Sequence, residues 1–157
     1  MGIETFEGDL LLVDSPDFGE IVIEDGIVLG DKTFNTATYL SLFGGNKDDD
    51  GKIKTNKTWW GNTLPGVSKN EKMVSRFQAV IFGLPMTSKN ILKAESAAQL
   101  DLEWMIEEGI ADEVIASGRA TGKNKFELKV EIKAHGETIY SNKYSMFWRS
   151  GTYGSAN

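Results

Sequence analysis

Carboxylates are the most plentiful groups in this chain that could do chemistry, with 23 Asp and Glu among 157 residues. Acids such as Glu20, Glu24, Glu103 and Glu107 would suit glycoside hydrolysis, in which one carboxyl group protonates the leaving oxygen and a second attacks the sugar or activates water. A glycosidase is therefore one open class. Abundance alone does not make a site, because acids opposite the apolar stripe of a helix ordinarily face solvent. Other reactive types are scarce. The absence of cysteine and the single histidine, His135, exclude thiol catalysis, disulfides and a Cys/His zinc site. His135-Gly136 reads as a hairpin turn. There is no glycine-rich phosphate loop, no G-x-S-x-G elbow and no H-E-x-x-H pair. Asn46, Asp48, Asp50 and Gly51 match the opening of an EF-hand calcium loop, but its twelfth position is Lys57, where a bidentate Glu is required. No catalytic, cofactor or metal residue is assigned.

The aromatic residues say more. Trp59-Trp60 is followed by Gly61-Asn62. An indole buries a large apolar area and its N–H wants a partner. Adjacent side chains on a strand point to opposite faces, so one ring can fill the core while the other meets another protein, where indole is a favoured anchor. Both rings packed in one loop against the domain is the plainer alternative.

These residues need elements to position them. Leu10 to Val13, Ile21 to Ile23 and Ile27 to Leu29 are short apolar runs separated by Ser15 to Gly19 and by Asp25-Gly26, which reads as strands and turns. Phe34, Ala37, Tyr39, Leu40 and Phe43 recur at helical spacing from Thr33 until Gly44-Gly45. Arg76 to Phe82 is a bridging stretch closed by Gly83 and Pro85. Thr87 or Ser88 can cap a helix running to Glu108 and stopped by Gly109, near 31 Å long at about 1.5 Å per residue. Its stripe of Ile91, Ala94, Ala98, Leu102 and Met105 is widened by Ala97, Leu100 and Trp104. Leu100 and Trp104 are thus candidate partner contacts. Phe126, Leu128, Val130 and Ile132 alternate strictly with Glu127, Lys129, Glu131 and Lys133, inside a meander from Glu113 to Trp148. The last strand bears Tyr140, Tyr144, Met146 and Trp148, a heavy load for a solvated edge and a candidate docking edge for another protein's strand. The expected fold is α+β: an antiparallel sheet with a C-terminal three-stranded meander packed on one long helix, plus a shorter N-terminal helix. Residues 1–157 are expected to form a single domain, with loop 44–58 and tail 149–157 loosely held.

Charge and composition narrow the partners. The 40% apolar and 25% charged content suits an ordinary globular domain. No run approaches the roughly 20 apolar residues that cross a bilayer, and Met1-Gly2-Ile3-Glu4 does not open a signal peptide. A soluble cytoplasmic product is expected. The net charge of −6 is uneven: residues 1–50 hold twelve acids against two lysines, and residues 51–157 fifteen bases against eleven acids. The acidic first third argues against nucleic acid. It fits either a basic protein partner or a solvated face that aids solubility.

Gly8-Asp9-Leu10, the segment Thr36-Ala37-Thr38-Tyr39-Leu40-Ser41-Leu42-Phe43, an acidic loop, Trp59-Trp60-Gly61-Asn62, a long helix ending Glu107-Glu108-Gly109 and a β-rich tail occur in an order that resembles the Mu-type phage baseplate proteins with a W-W-G signature. That family is similar in role to the sheath-initiator wedge proteins of contractile tails. Two features depart from it: Lys54-Thr55-Asn56-Lys57-Thr58 stands where arginines often precede the tryptophans, and the Glu-Pro-Arg signature is missing. The resemblance implies a structural virion protein, assembled in the host cytoplasm into the tail baseplate. It would bind larger wedge proteins and meet the tail sheath protein, with the spike or tube hub proteins as further candidate partners. Relatives of the wedge family have been labelled lysozyme-like, so the resemblance makes the enzyme class a lysozyme-like cell-wall glycosidase using two carboxylates, and the third open class is a free-standing module that binds an extended peptide.

Overall fold

The strict alternation around Phe126 to Ile132 places four apolar side chains on one face of a strand, and all four are buried in the computed structural model of the chain. The structure describes residues 9–14, 19–28, 30–31, 33–45, 62, 64–68 and 72–148. The pair Trp59-Trp60, the calcium-loop match from Asn46 to Lys57 and the tail from residue 149 lie outside the described residues, and with them the expectations made for loop and tail. The chain divides into two compact units, residues 1–39 and 40–157.

In the first unit, β1 (Asp9–Leu10), β2 (Leu12–Asp14), β3 (Gly19–Ile21), β4 (Ile23–Glu24), β5 (Ile27–Val28) and β6 (Gly30–Asp31) form three short antiparallel ladders, β1 with β6, β2 with β3 and β4 with β5. Asp25-Gly26 makes the tight turn between β4 and β5 with φ of 50° and 78°. Two successive positive φ values define the type I′ turn, whose twist matches that of the strands, and Asp-Gly is a favoured pair for it. Helix α1 (Asn35–Phe43) follows, two residues shorter at its start than the periodicity suggests.

The second unit holds helices α2 (Arg76–Gly83), α3 (Ser88–Leu102) and α4 (Trp104–Glu107) and the meander of β7 (Glu113–Gly122), β8 (Lys125–Ala134) and β9 (Glu137–Phe147) in the order β7-β8-β9. The fold is α+β with a C-terminal antiparallel meander. His135-Gly136 turns β8 into β9 with φ of 52° and 76°, a second type I′ turn. The inward face of β8 is covered by a chain of aromatic rings. Phe126 lies edge-on to Trp148 at 5.2 Å and tilted to Phe77 at 6.3 Å, while Phe43 meets Phe77 at 5.6 Å and Tyr144 at 5.9 Å. Full burial of a ring such as Phe77 or Phe126 contributes about 1.5–3 kcal/mol. Helix α3 packs on both α2 and β7 and buries Ala94, Ala97, Ala98 and Leu102, the three alanines being small enough to let neighbouring elements approach closely. Gly118 on β7 serves the same end, since a Cβ there would collide with the Phe126 ring.

Two elements differ from their sequence-based expectation. The bridging stretch is helix α2, burying Phe77 and Ile81 one turn apart. The long helix is interrupted: Glu103 keeps helical dihedrals (φ −60°, ψ −27°) but its N–H bonds to the Leu100 carbonyl at 3.4 Å, the tighter three-residue spacing. Thr87 is its N-cap, accepting from the Asn90 N–H at 3.2 Å, and Gly109, at φ 71°, ends α4. No described helix is long and apolar enough to cross a membrane.

Candidate protein-interaction surfaces

The backbone of β9 sets the geometry of the sheet's outer edge. The Trp148 N–H donates to the Asn124 carbonyl at 2.7 Å, and the register pairs Met146 with Phe126, Tyr144 with Leu128 and Asn142 with Val130. Antiparallel bonding alternates residue by residue. Even-numbered residues of β9 therefore bond to β8, and Ser141, Lys143, Ser145 and Phe147 turn their N–H and C=O groups away from it. Among the described residues no further strand pairs there. One outward donor is engaged locally, with the Lys143 N–H bonding the Asn142 Oδ1 at 2.8 Å. The opposite edge is guarded differently. Gly118 of β7 turns its N–H outward, and Glu95 of α3 accepts from it through Oε1 at 2.7 Å.

Side chains on β9 match this exposed position. None is fully buried, and Ile139 and Phe147 are 40% and 60% exposed. Tyr140, Tyr144 and Met146 are half-buried on the face shared with Phe126 and Leu128, and the hydroxyls of Tyr140 and Tyr144 lie 2.9 Å apart. Ile139 is the extra residue of a bulge, since Tyr140 faces Ile132 and Thr138 faces Lys133. Trp148 requires a correction. Expected at an interface, it is a core residue, 2% exposed, with its ring against Phe126 and its indole N–H donated to the Leu84 carbonyl. Its apolar area and its one donor are both satisfied inside the fold.

The helical candidates lie on one outward face. Leu100 is 51% exposed, and Trp104 is 37% exposed with its indole N–H bonded to the Ser41 Oγ at 3.1 Å. Of the acids weighed for hydrolysis, Glu103 and Glu107 are exposed on this face and Glu24 is exposed on β4. Among the described residues no group of three or more His, Cys, Asp or Glu could hold a metal ion.

Three polar residues matter that were not singled out from sequence. Asp101 is buried, its Oδ1 accepting from the Arg76 N–H at 2.9 Å and guanidinium at 3.3 Å, its Oδ2 from the Phe77 N–H at 2.8 Å. It thereby caps α2 from another helix. Ser75, the N-cap residue of α2, makes no side-chain cap there. Its hydroxyl instead donates to the Ser41 carbonyl at 2.8 Å and accepts from the Gly45 N–H at 2.8 Å, closing the end of α1. Asn62 clasps Met73, its amide donating to the carbonyl and accepting from the N–H, both at 2.8 Å. Burial pushes the Asp101 carboxyl from its ordinary 3.8 up to about 6, outweighing the backbone bonds from Phe77 and Arg76 and the Arg76 charge that pull it down. The sequence signal for Asp101 was an acid inside the stripe of Ala94, Ala97, Ala98 and Met105. For Asn62 it was adjacency to the tryptophan pair. Compared with family models, with curated proteins and with solved structures, the chain matches none.

Proposed function

We propose that this chain is a structural component of the baseplate of a contractile tail, binding a larger wedge subunit and starting the sheath by offering β9 as a template strand. The single observation that carries this reading is the outer edge of β9. It spans eleven residues, its outward groups meet no further described strand, and it displays Ile139 and Phe147 beside them. A strand added there would gain main-chain hydrogen bonds, with alternate side chains fixing the register. An unguarded edge of this length is otherwise an aggregation liability, which proteins keep when something must pair with it. The ordered resemblance of residues 8 to about 115 to Mu-type baseplate proteins supports the same reading.

The test is compositional. Contractile tails or tail-like particles from the organism that makes this chain are purified and stripped of sheath, and the remaining baseplates are analysed by mass spectrometry. The chain is expected in the baseplate fraction at a fixed ratio to the wedge subunits. Its absence from intact particles would contradict the assignment.

A further inference from the structure

The stripe along α3 and α4 carries its charges in an order that a lone helix would not favour. Lys89 and Lys93 stand one turn apart near its start, and Glu103 and Glu107 one turn apart near its end, all four exposed. Like charges four residues apart repel. Lys89, in the first turn of α3, and Glu107, the last residue of α4, also oppose the helix dipole, which favours acids at the start and bases at the end; α3 has no acid in its first turn. None of the four joins an ion pair among the described residues. Between them lie Leu92 and Leu100, 62% and 51% exposed, with Ile106 at 40%. Glu103, where α3 gives way to α4, keeps helical dihedrals.

We propose that this stripe docks on the same stripe of a second copy of the chain, antiparallel, about a two-fold axis beside Ser96 and Leu100. An isologous pairing brings each residue against its counterpart equally far on the other side of the axis. Lys89 then meets Glu107 of the second copy, Lys93 meets its Glu103, small Ser96 receives its Leu100 and Leu92 meets its Trp104, itself 37% exposed. The four like-charged pairs of the two copies are then offset by four attractive contacts, and the two dipoles oppose. The inference stands on this charge order and not on the baseplate reading, so the two can fail separately. A wedge subunit seated on the same face is the competing occupant, and it would leave the purified chain monomeric.

Sedimentation equilibrium on the full chain at roughly 0.1–1 mM, where a micromolar dimer is saturated, decides the matter. Wild type is expected to be a dimer that weakens with salt. The variant Lys89→Glu with Lys93→Glu, and the variant Glu103→Lys with Glu107→Lys, should each weaken association by roughly 100-fold or more. Mixing the two should restore a dimer containing one of each, because every contact is again of opposite sign. All four substitutions in one chain should restore the homodimer. Circular dichroism checks folding, and Leu100→Arg replaces either charge variant that does not fold. A monomeric wild type, a dimer indifferent to the charge reversals, or loss of the dimer without rescue would each overturn the proposal.

Discussion

Asp101 places two opposed demands on one carboxylate. Two backbone N–H groups and the Arg76 guanidinium want it ionised, while burial penalises the charge, and burial prevails with a carboxyl held up at about 6 against an ordinary 3.8. The folded state therefore binds the proton more tightly than the unfolded chain. The contribution of this group is fully present below about pH 4 and is lost as pH rises through about 6, a swing of roughly 3 kcal/mol. Urea unfolding between pH 4 and 6.5 should show wild-type stability falling relative to Asp101→Asn, and parallel curves would contradict the assignment. Asn62 makes a simpler case. Asn62→Ala leaves the Met73 N–H and C=O without their clasp and should cost about 1–3 kcal/mol in thermal melts. A loss below half a kcal/mol would mean that water replaces the amide.

Elements form here through a mixture of local and borrowed contacts, and that mixture decides what could be read in advance. The β8 alternation, the His135-Gly136 and Asp25-Gly26 turns, the Thr87 cap and the Gly109 stop are local signals, and the structure carries each of them. Helix α2 was illegible as a helix because its cap, Asp101, lies 24 residues beyond Phe77 and its own Ser75 serves α1. Trp148 was misassigned because sequence shows an aromatic at a strand's end but not the Leu84 carbonyl that takes its indole proton. The half-buried Tyr144 and the exposed Phe147 differ as alternation along a strand requires, at even and odd positions of β9. Two substitutions test the local and the borrowed kind together. Thr87→Ala should cost about 1 kcal/mol through the lost cap. Gly118→Ala should cost about 1–3 kcal/mol because the Phe126 ring must move from its seat. Chemical denaturation of both variants checks this, and an unchanged Gly118→Ala midpoint would show that the ring shifts freely.

At the scale of the whole molecule, the meander presents two unequal edges. On β7, Glu95 occupies the outward Gly118 N–H, whereas on β9 the outward Lys143 N–H is engaged by its neighbour Asn142 and no further strand pairs with the row among the described residues. That asymmetry suits a protein that pairs on one side and must not pair on the other. Proline separates edge from ladder, because it deletes one N–H and is tolerated at strand edges where that donor faces outward. Ser145→Pro should leave the fold within about 1 kcal/mol of wild type, while Tyr144→Pro removes a donor that β8 uses and should unfold the meander. The most direct measurement of the central claim is therefore sheath assembly on baseplates that carry folded Ser145→Pro. Baseplates of normal composition with no sheath, or with sheath that fails to start, are the expected result; tails of normal length from that variant would contradict the role assigned to β9.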